Sequence, residues 1–315
     1  MKRTLSLIIV ALMLVTLCLT SCSSSGKIFL ATGSETGTYY SFGNALGTVL
    51  YDKIGQEFSV QSTGASKANI QLVADGEVSM AIVQNDVMDY AFNGTNTFAT
   101  DGAIKGFSAV CTLYPEVVQI IAKPGITSIA DLKGKNVSVG DAGSGTEFNA
   151  KQVFEAYGMT FDDINKQSLG FTDSADKFKD GQLDAFFTVA GAPTTNIAEL
   201  ATANDFVILS IGAEQLQYLQ EHYAYYTPYT LPANTYANQT EDAVTVAVRA
   251  TIIAADTLSE ETVYNITKGI FENIDAIKAV HAKGGELSVE SAITGISIPF
   301  HPGAEKYFKE VGAIK

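Results

Sequence analysis

The sequence predicts an α/β protein made of two similar halves around a cleft. Three observations lead there. Strand-like apolar runs alternate with segments of helical spacing, which is the pattern of a parallel sheet covered on both faces. Turns of small residues follow several of the strands, where open α/β sheets place their ligands. A short pattern also recurs: Asp75-Gly76-Glu77-Val78-Ser79-Met80-Ala81 resembles Asp180-Gly181-Gln182-Leu183-Asp184-Ala185-Phe186.

The stretch Val137 to Gly158 shows the logic most clearly. Val137 to Gly140 reads as a buried strand, and Asp141 to Gly145 is a run that continues neither strand nor helix. Ala150, Val153, Phe154 and Tyr157 then fall on one apolar helical face, with Gly158 as a stop. Ser144 and Glu147 stand at capping-box spacing, so Ser144 is the expected N-cap. Outward-pointing amides near Gly145 and Thr146, backed by the helix dipole, make a site for a small anion.

The other elements follow in order. Ile28–Thr32 reads as a strand, Gly33–Gly37 as a glycine-rich turn, and Phe42, Leu46, Val49 and Leu50 as a helix face. Phe58–Gln61 is a second strand, Ser62–Ser66 a second turn and Lys67–Ala74 a helix. Met80–Val83 is a third strand, and Gln84-Asn85-Asp86 opens a third helix. Gly106–Lys123 is apolar but holds Tyr114-Pro115-Glu116. Proline is excluded from central strands, so two strands are expected, with a crossing between domains at Pro115. Further strands are expected at Ser168–Phe171, Asp184–Val189 and Phe206–Ser210. The tyrosine-rich Tyr218–Tyr236 leads back to the first half, followed by a strand at Val244–Ala254 and helices at Glu260–Phe271, Asn273–Ala282 and after Pro302. The implied division is 28–115 plus 239–315 for lobe 1 and 116–238 for lobe 2. Two crossings between them would form a hinge that closes around a ligand.

The chain has 315 residues, 46% of them hydrophobic and 17% charged, enough to bury the cores of two domains. Its net charge of −14 leaves nucleic acid without the clustered Lys and Arg it needs. The same field means that an anionic ligand must be captured by local geometry. Lys2 and Arg3 followed by apolar Leu5–Leu17 form a targeting segment, too short to span a membrane comfortably. Leu19-Thr20-Ser21-Cys22 resembles a bacterial lipoprotein box, which implies a signal peptide at 1–21, lipidation of Cys22, a tether at 22–27 and an extracytoplasmic, membrane-anchored location. Cys18 leaves with the leader, and Cys111 is then alone in the body, so no internal disulfide is expected.

A catalytic constellation is not legible. His222, His281 and His301 are all remote from the glycine turns, and neither HExxH, paired CxxC nor an EF-hand loop occurs. The Asp141–Gly145 turn lacks the Gly-Lys-Ser/Thr of a P-loop, the flanking glycines of a nucleophile elbow and the third glycine of a dinucleotide fingerprint. The reading is therefore binding without a cofactor or metal, and not an enzyme. Beyond the leader the chain has one arginine, Arg249, so anions must be met by amides, hydroxyls and tyrosines such as Tyr39, Tyr40 and Tyr114. Lys67 either reaches the cleft or is solvated. Asp86 and Glu147 either meet a ligand ammonium group or serve helix N-termini.

Several segments together resemble the TAXI family, the extracytoplasmic solute-binding proteins of TRAP transporters. They are Thr36–Tyr40, Val83–Asp86, Leu113–Val118, Val137–Glu147, Val189–Pro193 and His301–Gly303, in the family's order along nearly the whole mature chain. The resemblance implies a two-lobed periplasmic-binding-protein fold of the second type. It also implies capture of glutamate or a related acidic amino acid or dicarboxylate, and delivery to a permease driven by an ion gradient. By the same resemblance, Thr36, Gly37, Thr38, Tyr39, Thr63, Gly64, Ser66, Gln84, Asn85 and Asp86 contribute from lobe 1. Tyr114 sits at the hinge, and Ser144, Gly145, Thr146, Glu147, Gly191, Ala192, Pro193 and Thr194 contribute from lobe 2. Relatives often carry Gly-Gly-Ser-Val-Glu-Asn where this chain has Gly64-Ala65-Ser66-Lys67-Ala68-Asn69, and the gained Lys67 suggests a preference for a second ligand carboxylate. A ligand-presenting subunit of a sensor, or an enzyme on the same scaffold, are the alternative readings of such a fold.

Overall fold

The computed structural model describes residues 26–315; the leader, Cys22 and most of the tether lie outside the described residues. Ten strands form one continuous sheet in the order β2-β1-β3-β10-β4-β7-β5-β6, with β9 paired to β10 and β8 to β4. The order reads nearly as a mirror image. On one side β1 (Ile28–Ala31) lies between β2 (Phe58–Gln61) and β3 (Met80–Gln84), all parallel. On the other, β5 (Asn136–Ser138) lies between β6 (Asn165–Gln167) and β7 (Ala185–Ala190), again parallel. Each trio is closed by a long antiparallel strand: β10 (Ala243–Ala255) beside β3, and β4 (Phe107–Ala122) beside β7.

The repeat seen in the sequence is a repeat of structure. Gly76 and Gly181 both adopt φ of +74°, a conformation that glycine enters without a Cβ penalty. Each ends a helix, α2 (Ser66–Ala74) or α5 (Phe171–Lys179), with matching hydrogen bonds: Gly76 N–H to Val73 and Glu77 N–H to Leu72, Gly181 N–H to Phe178 and Gln182 N–H to Lys177. The chain then turns into β3 and β7, both wholly buried.

The two lobes share one sheet because β4 and β10 run through both. Here the structure corrects the sequence reading. Pro115 does not split the apolar stretch; β4 is a single strand of 16 residues. The proline is tolerated because the ladder is already irregular there. Pro115 faces Arg249, a register shift follows between Arg249 and Thr251, and the Arg249 N–H goes instead to the Asn85 side chain at 3.0 Å. Pairing of β4 with β7 begins only at Val117. On the return side β10 pairs with strands of both halves. Ala243 to Ala247 still pair with β9 (Thr227–Leu231), and Ala250 to Ala254 pair with β3. Two smaller shifts are also seen. The strand expected at Ser168–Phe171 is β6, three residues earlier, and Phe171 opens α5; the strand expected at Phe206–Ser210 is the short β8, Val207–Ile208.

Helices cover both faces. In lobe 1, α1 (Thr38–Ile54) packs with α8 (Glu260–Glu272), α9 (Ile274–Val280), α10 (Val289–Ala292) and α11 (Pro302–Glu310) around Phe42, Leu46, Leu50, Ile270 and Phe308. On the opposite face α2 and α3 (Asn85–Asn93) cover Ile70, Val87 and Met88. In lobe 2, α4 (Gly145–Ala156) and α7 (Ala213–His222) enclose one core, and α5 and α6 (Thr195–Leu200) the other. Each lobe thus has an apolar layer on both sides of its strands, and Cys111 is a buried free thiol in the first. Within the described residues, no helix is long and apolar enough to cross a membrane.

Candidate functional site

Three helices, α1 and α2 from lobe 1 and α4 from lobe 2, begin at one cavity. With the lobes as described it is narrow, about 30 Å³, room for a water or two, so a solute enters only as the lobes part. It is lined by Gly33, Ser34, Gly37, Thr38 and Tyr39 around the start of α1, Ala65 and Ser66 at α2, and Gln84 at the end of β3. Across the cleft stand Asp141, Ser144, Gly145 and Thr146 at α4, with Phe171, Val189 and Ala190 as apolar wall and Glu116 on β4 between the lobes.

The N-termini are unequally capped. Ser144 is the N-cap of α4 as expected: its Oγ accepts from the Glu147 N–H at 3.2 Å. Gly37 and Ala65, the N-caps of α1 and α2, offer no side-chain cap. First-turn amides that a helix leaves unpaired are thus presented by both lobe 1 helices, with the positive dipole end behind them. Ala65 adopts φ 65° and ψ −146°, a region that suits glycine alone and costs roughly 1–3 kcal/mol for another residue. Ala65→Gly is expected to raise stability by about 1–2 kcal/mol by relieving that strain. Urea unfolding of the two proteins measures it, and an unchanged midpoint would show that no strain is stored there.

The lobes touch around the cavity, and the described conformation is closed. Thr38 Oγ1 donates to the Gly191 carbonyl at 2.8 Å, and the Thr36 and Thr172 hydroxyls meet at 3.1 Å. Asn149 Nδ2 donates to Asp86 at 3.0 Å, and Gln152 Nε2 to the Tyr90 hydroxyl at 3.3 Å. Gly145 is required by a close approach: a β-carbon there would fall 1.9 Å from Gln84 Oε1. That oxygen is buried and has no hydrogen-bond partner.

Of the residues singled out from sequence, Gly37, Thr38, Tyr39, Ser66, Gln84, Ser144, Gly145 and Thr146 come together at the cavity. The others stand back from it. Thr63 is held by the Thr32 carbonyl and Asn69, and Gly64 is not part of the lining. Asn85 fixes Arg249 N–H and the Gly295 carbonyl. Glu147 turns outward, accepting from Gly143 N–H at 2.6 Å and from Lys166 at 2.5 Å. Tyr114 is fully buried against Phe42. Gly191, Ala192, Pro193 and Thr194 form the turn after β7; Gly191 accepts from Thr38, and Thr194 pairs with Gln119 and Tyr236. Lys67 does not face the ligand space. Its ammonium pairs with Asp101 at 2.5 Å, and only its stem borders the opposite lobe, at Gly143. Arg249 is half-buried away from the cavity beside Gly295 and carries no ligand contact there.

Glu116 and Asp141 are the charged lining residues that sequence reasoning missed, alongside Gly33, Ser34, Ala65, Phe171, Val189 and Ala190. Glu116 is 1% exposed, and the Tyr39 hydroxyl donates to its Oε2 at 2.5 Å. Burial pushes its pKa well above the usual carboxylate range. Burial, with Asp173 nearby, also raises that of Asp141. The lining contains no Lys, Arg or His. The three histidines lie elsewhere: His301 caps α11, His281 meets Ser41, and His222 stacks on Tyr218.

Two lobes, two strand crossings and a cavity between helix N-termini are the architecture of the periplasmic-binding-protein fold, type II. The chain belongs to the NMT1-like family, whose model matches residues 30–312. Among solved structures it is similar to a protein from Bordetella bronchiseptica RB50, at 14% identity over 92% of this chain and 89% of that one, with a TM-score of 0.56. It is also similar to the binding component of an ABC phosphonate transporter from Pseudomonas aeruginosa, at 14% identity over 82% and 78% of the two chains, with a TM-score of 0.50. At such identities the likeness is one of fold.

Proposed function

We propose that this chain is the extracytoplasmic receptor of a TRAP-type transporter. It is tethered through a lipid on Cys22, closes on a small organic acid, and hands it to the membrane permease. The class of ligand is glutamate, a related acidic amino acid or a dicarboxylate. The observation that carries this reading is the convergence of three helix N-termini from both lobes on one enclosed cavity. Anion capture by amides and hydroxyls needs no arginine clamp, and it is a way for a chain of net charge −14 to hold an acid. The motif order from Thr36 to Gly303 supports the TRAP assignment. In this proposal lobe 1 runs over 28–115 and 239–315 and lobe 2 over 116–238. Gly37, Thr38, Tyr39, Ser66, Gln84, Ser144, Gly145 and Thr146 are the contact residues.

Native mass spectrometry of the body expressed from Ser23 tests the reading. The expected result is one small acid bound per chain, or, for an empty protein, a rise in melting temperature with organic acids or amino acids. Stabilisation by no member of either class would overturn it.

A further inference from the structure

The charge of the cavity wall narrows the ligand further, on the footing of the receptor reading above. The wall carries two carboxyl groups, Glu116 and Asp141, and no basic side chain. Glu116 has a single hydrogen bond, from Tyr39 to Oε2, which leaves Oε1 for a donor from the ligand. Gln84 Oε1, on a residue 2% exposed, is a second buried acceptor without a donor. Around one cavity there are thus unpaired helix amides that want an anion, and acidic or carbonyl oxygens that want donors. A diacid answers only the first set. It would bring two negative charges to a wall with no basic side chain, against helix ends worth about half a charge each. A buried acceptor left without a donor keeps its full desolvation cost.

We propose that Glu116, supported by Asp141 and Gln84, makes this cleft selective for ligands bearing an ammonium group beside their acid group, so that amino acids are taken and the same acids lacking the amine are refused. The ammonium group brings three donors and no acceptor, which fits the unfilled oxygens. It also supplies the counter-charge that Glu116 lacks. Burial, with the Asp86 charge nearby, favours the protonated Glu116 carboxyl, and a cation alongside favours the ionised one. Tyr39 is a positioning residue here: its hydroxyl fixes the carboxyl while the rest of α1 presents its amides.

The test uses the protein from Ser23 onward and three matched panels: amino acids, their des-amino carboxylic acids, and their des-carboxy amines. Thermal shift selects binders and calorimetry gives affinities. The expected result is that an amino acid binds about 100-fold or more tighter than its des-amino partner, because a site built to receive a donor strongly rejects the analogue without it. Glu116→Gln is expected to collapse that ratio to below about 10-fold, mainly by weakening the amino acid. Tyr39→Phe should lower the ratio in the same direction, and serves where the first variant does not fold. A des-amino acid that binds wild type as tightly as its amino acid overturns the proposal and leaves the acid-receptor reading intact. An unchanged ratio in both variants also overturns it. Binding of amines alone would overturn the acid-receptor reading while keeping Glu116 as cation acceptor. Failure of all three panels overturns both.

Discussion

Gly140→Ala is expected to lose about 2–5 kcal/mol of stability and to weaken ligand binding at least about tenfold. Gly140 has φ of +92° at the end of the β5 segment, where a β-carbon costs strain by itself. The added atom would also lie 2.7 Å from Thr146 Cβ and 2.8 Å from Ser144 Oγ. Neither neighbour is the tip of a long side chain; one is a branch point and the other the N-cap hydroxyl of α4. Relief must move the first turn of α4, which carries the lobe 2 amides of the cavity. Gly158→Ala is the control. Gly158 has φ of +66° just beyond the far end of the same helix, but a β-carbon there meets nothing within 4 Å. It should pay only the conformational part, about 1 kcal/mol, and bind ligand normally. Urea unfolding and calorimetry of the pair decide the matter. Equal losses in the two variants would mean that the close packing against Ser144 and Thr146 is unimportant.

The same turn shows what the sequence can and cannot carry. Small residues after a strand and a Ser-x-x-Glu spacing were enough to place the α4 N-cap, because those signals are local. Elements with ordinary periodicity were legible for the same reason, as with β2 at Phe58–Gln61. Polar edge strands were not. β6 is Asn165-Lys166-Gln167, with no apolar face to see, and attention falls on Leu169 and Phe171, which belong to the next turn and helix. Pro115 misled for a different reason: the ladder is already broken where it faces Arg249, whose N–H goes to Asn85, thirty residues from the proline in sequence, and whose carbonyl accepts from the Thr251 hydroxyl at 3.4 Å. The partner of Lys67 was equally invisible, since Asp101 lies in another segment. Glu116 did leave a signal. It is the one charged residue inside the 16 of β4, and a carboxyl in such a run is costly unless it serves something. Which lobe surface it would face was not in the sequence, because that depends on how the shared strands cross.

Asp86 yields the second large effect, and it concerns closure. Its carboxyl is 1% exposed in the first turn of α3 and accepts from the Val87 N–H at 2.8 Å and from Asn149 Nδ2, on α4 of the other lobe, at 3.0 Å. Asn149 also reaches the Tyr226 hydroxyl, which donates to Gln152. No cation is paired with it among the described residues, and Asp89 lies near. Burial therefore raises its pKa to about 6 from 3.8, against the pull of its hydrogen bonds. The folded, closed protein then binds the proton more tightly than the unfolded chain does. Its stabilising effect is full below about pH 4 and is lost as pH rises to about 6, a change of about 3 kcal/mol by linkage. Above that range an ionised Asp86 weakens the seam between α3 and α4, and opening the lobes returns it to water. Asp86→Asn keeps an acceptor for Asn149 but removes the titration. Relative to wild type it should be as stable or more stable at pH 7.5 and less stable at pH 4.5. Glu116 also has a raised pKa and is present in both proteins, but the Asp86 charge is one of its causes, so its contribution cancels only in part. Unfolding midpoints of the two proteins, measured from pH 4 to pH 8, test this directly. A difference that stays constant across that range would mean that Asp86 ionises as freely in the closed protein as in water, and that the Asp86–Asn149 contact places no pH dependence on the joining of the lobes.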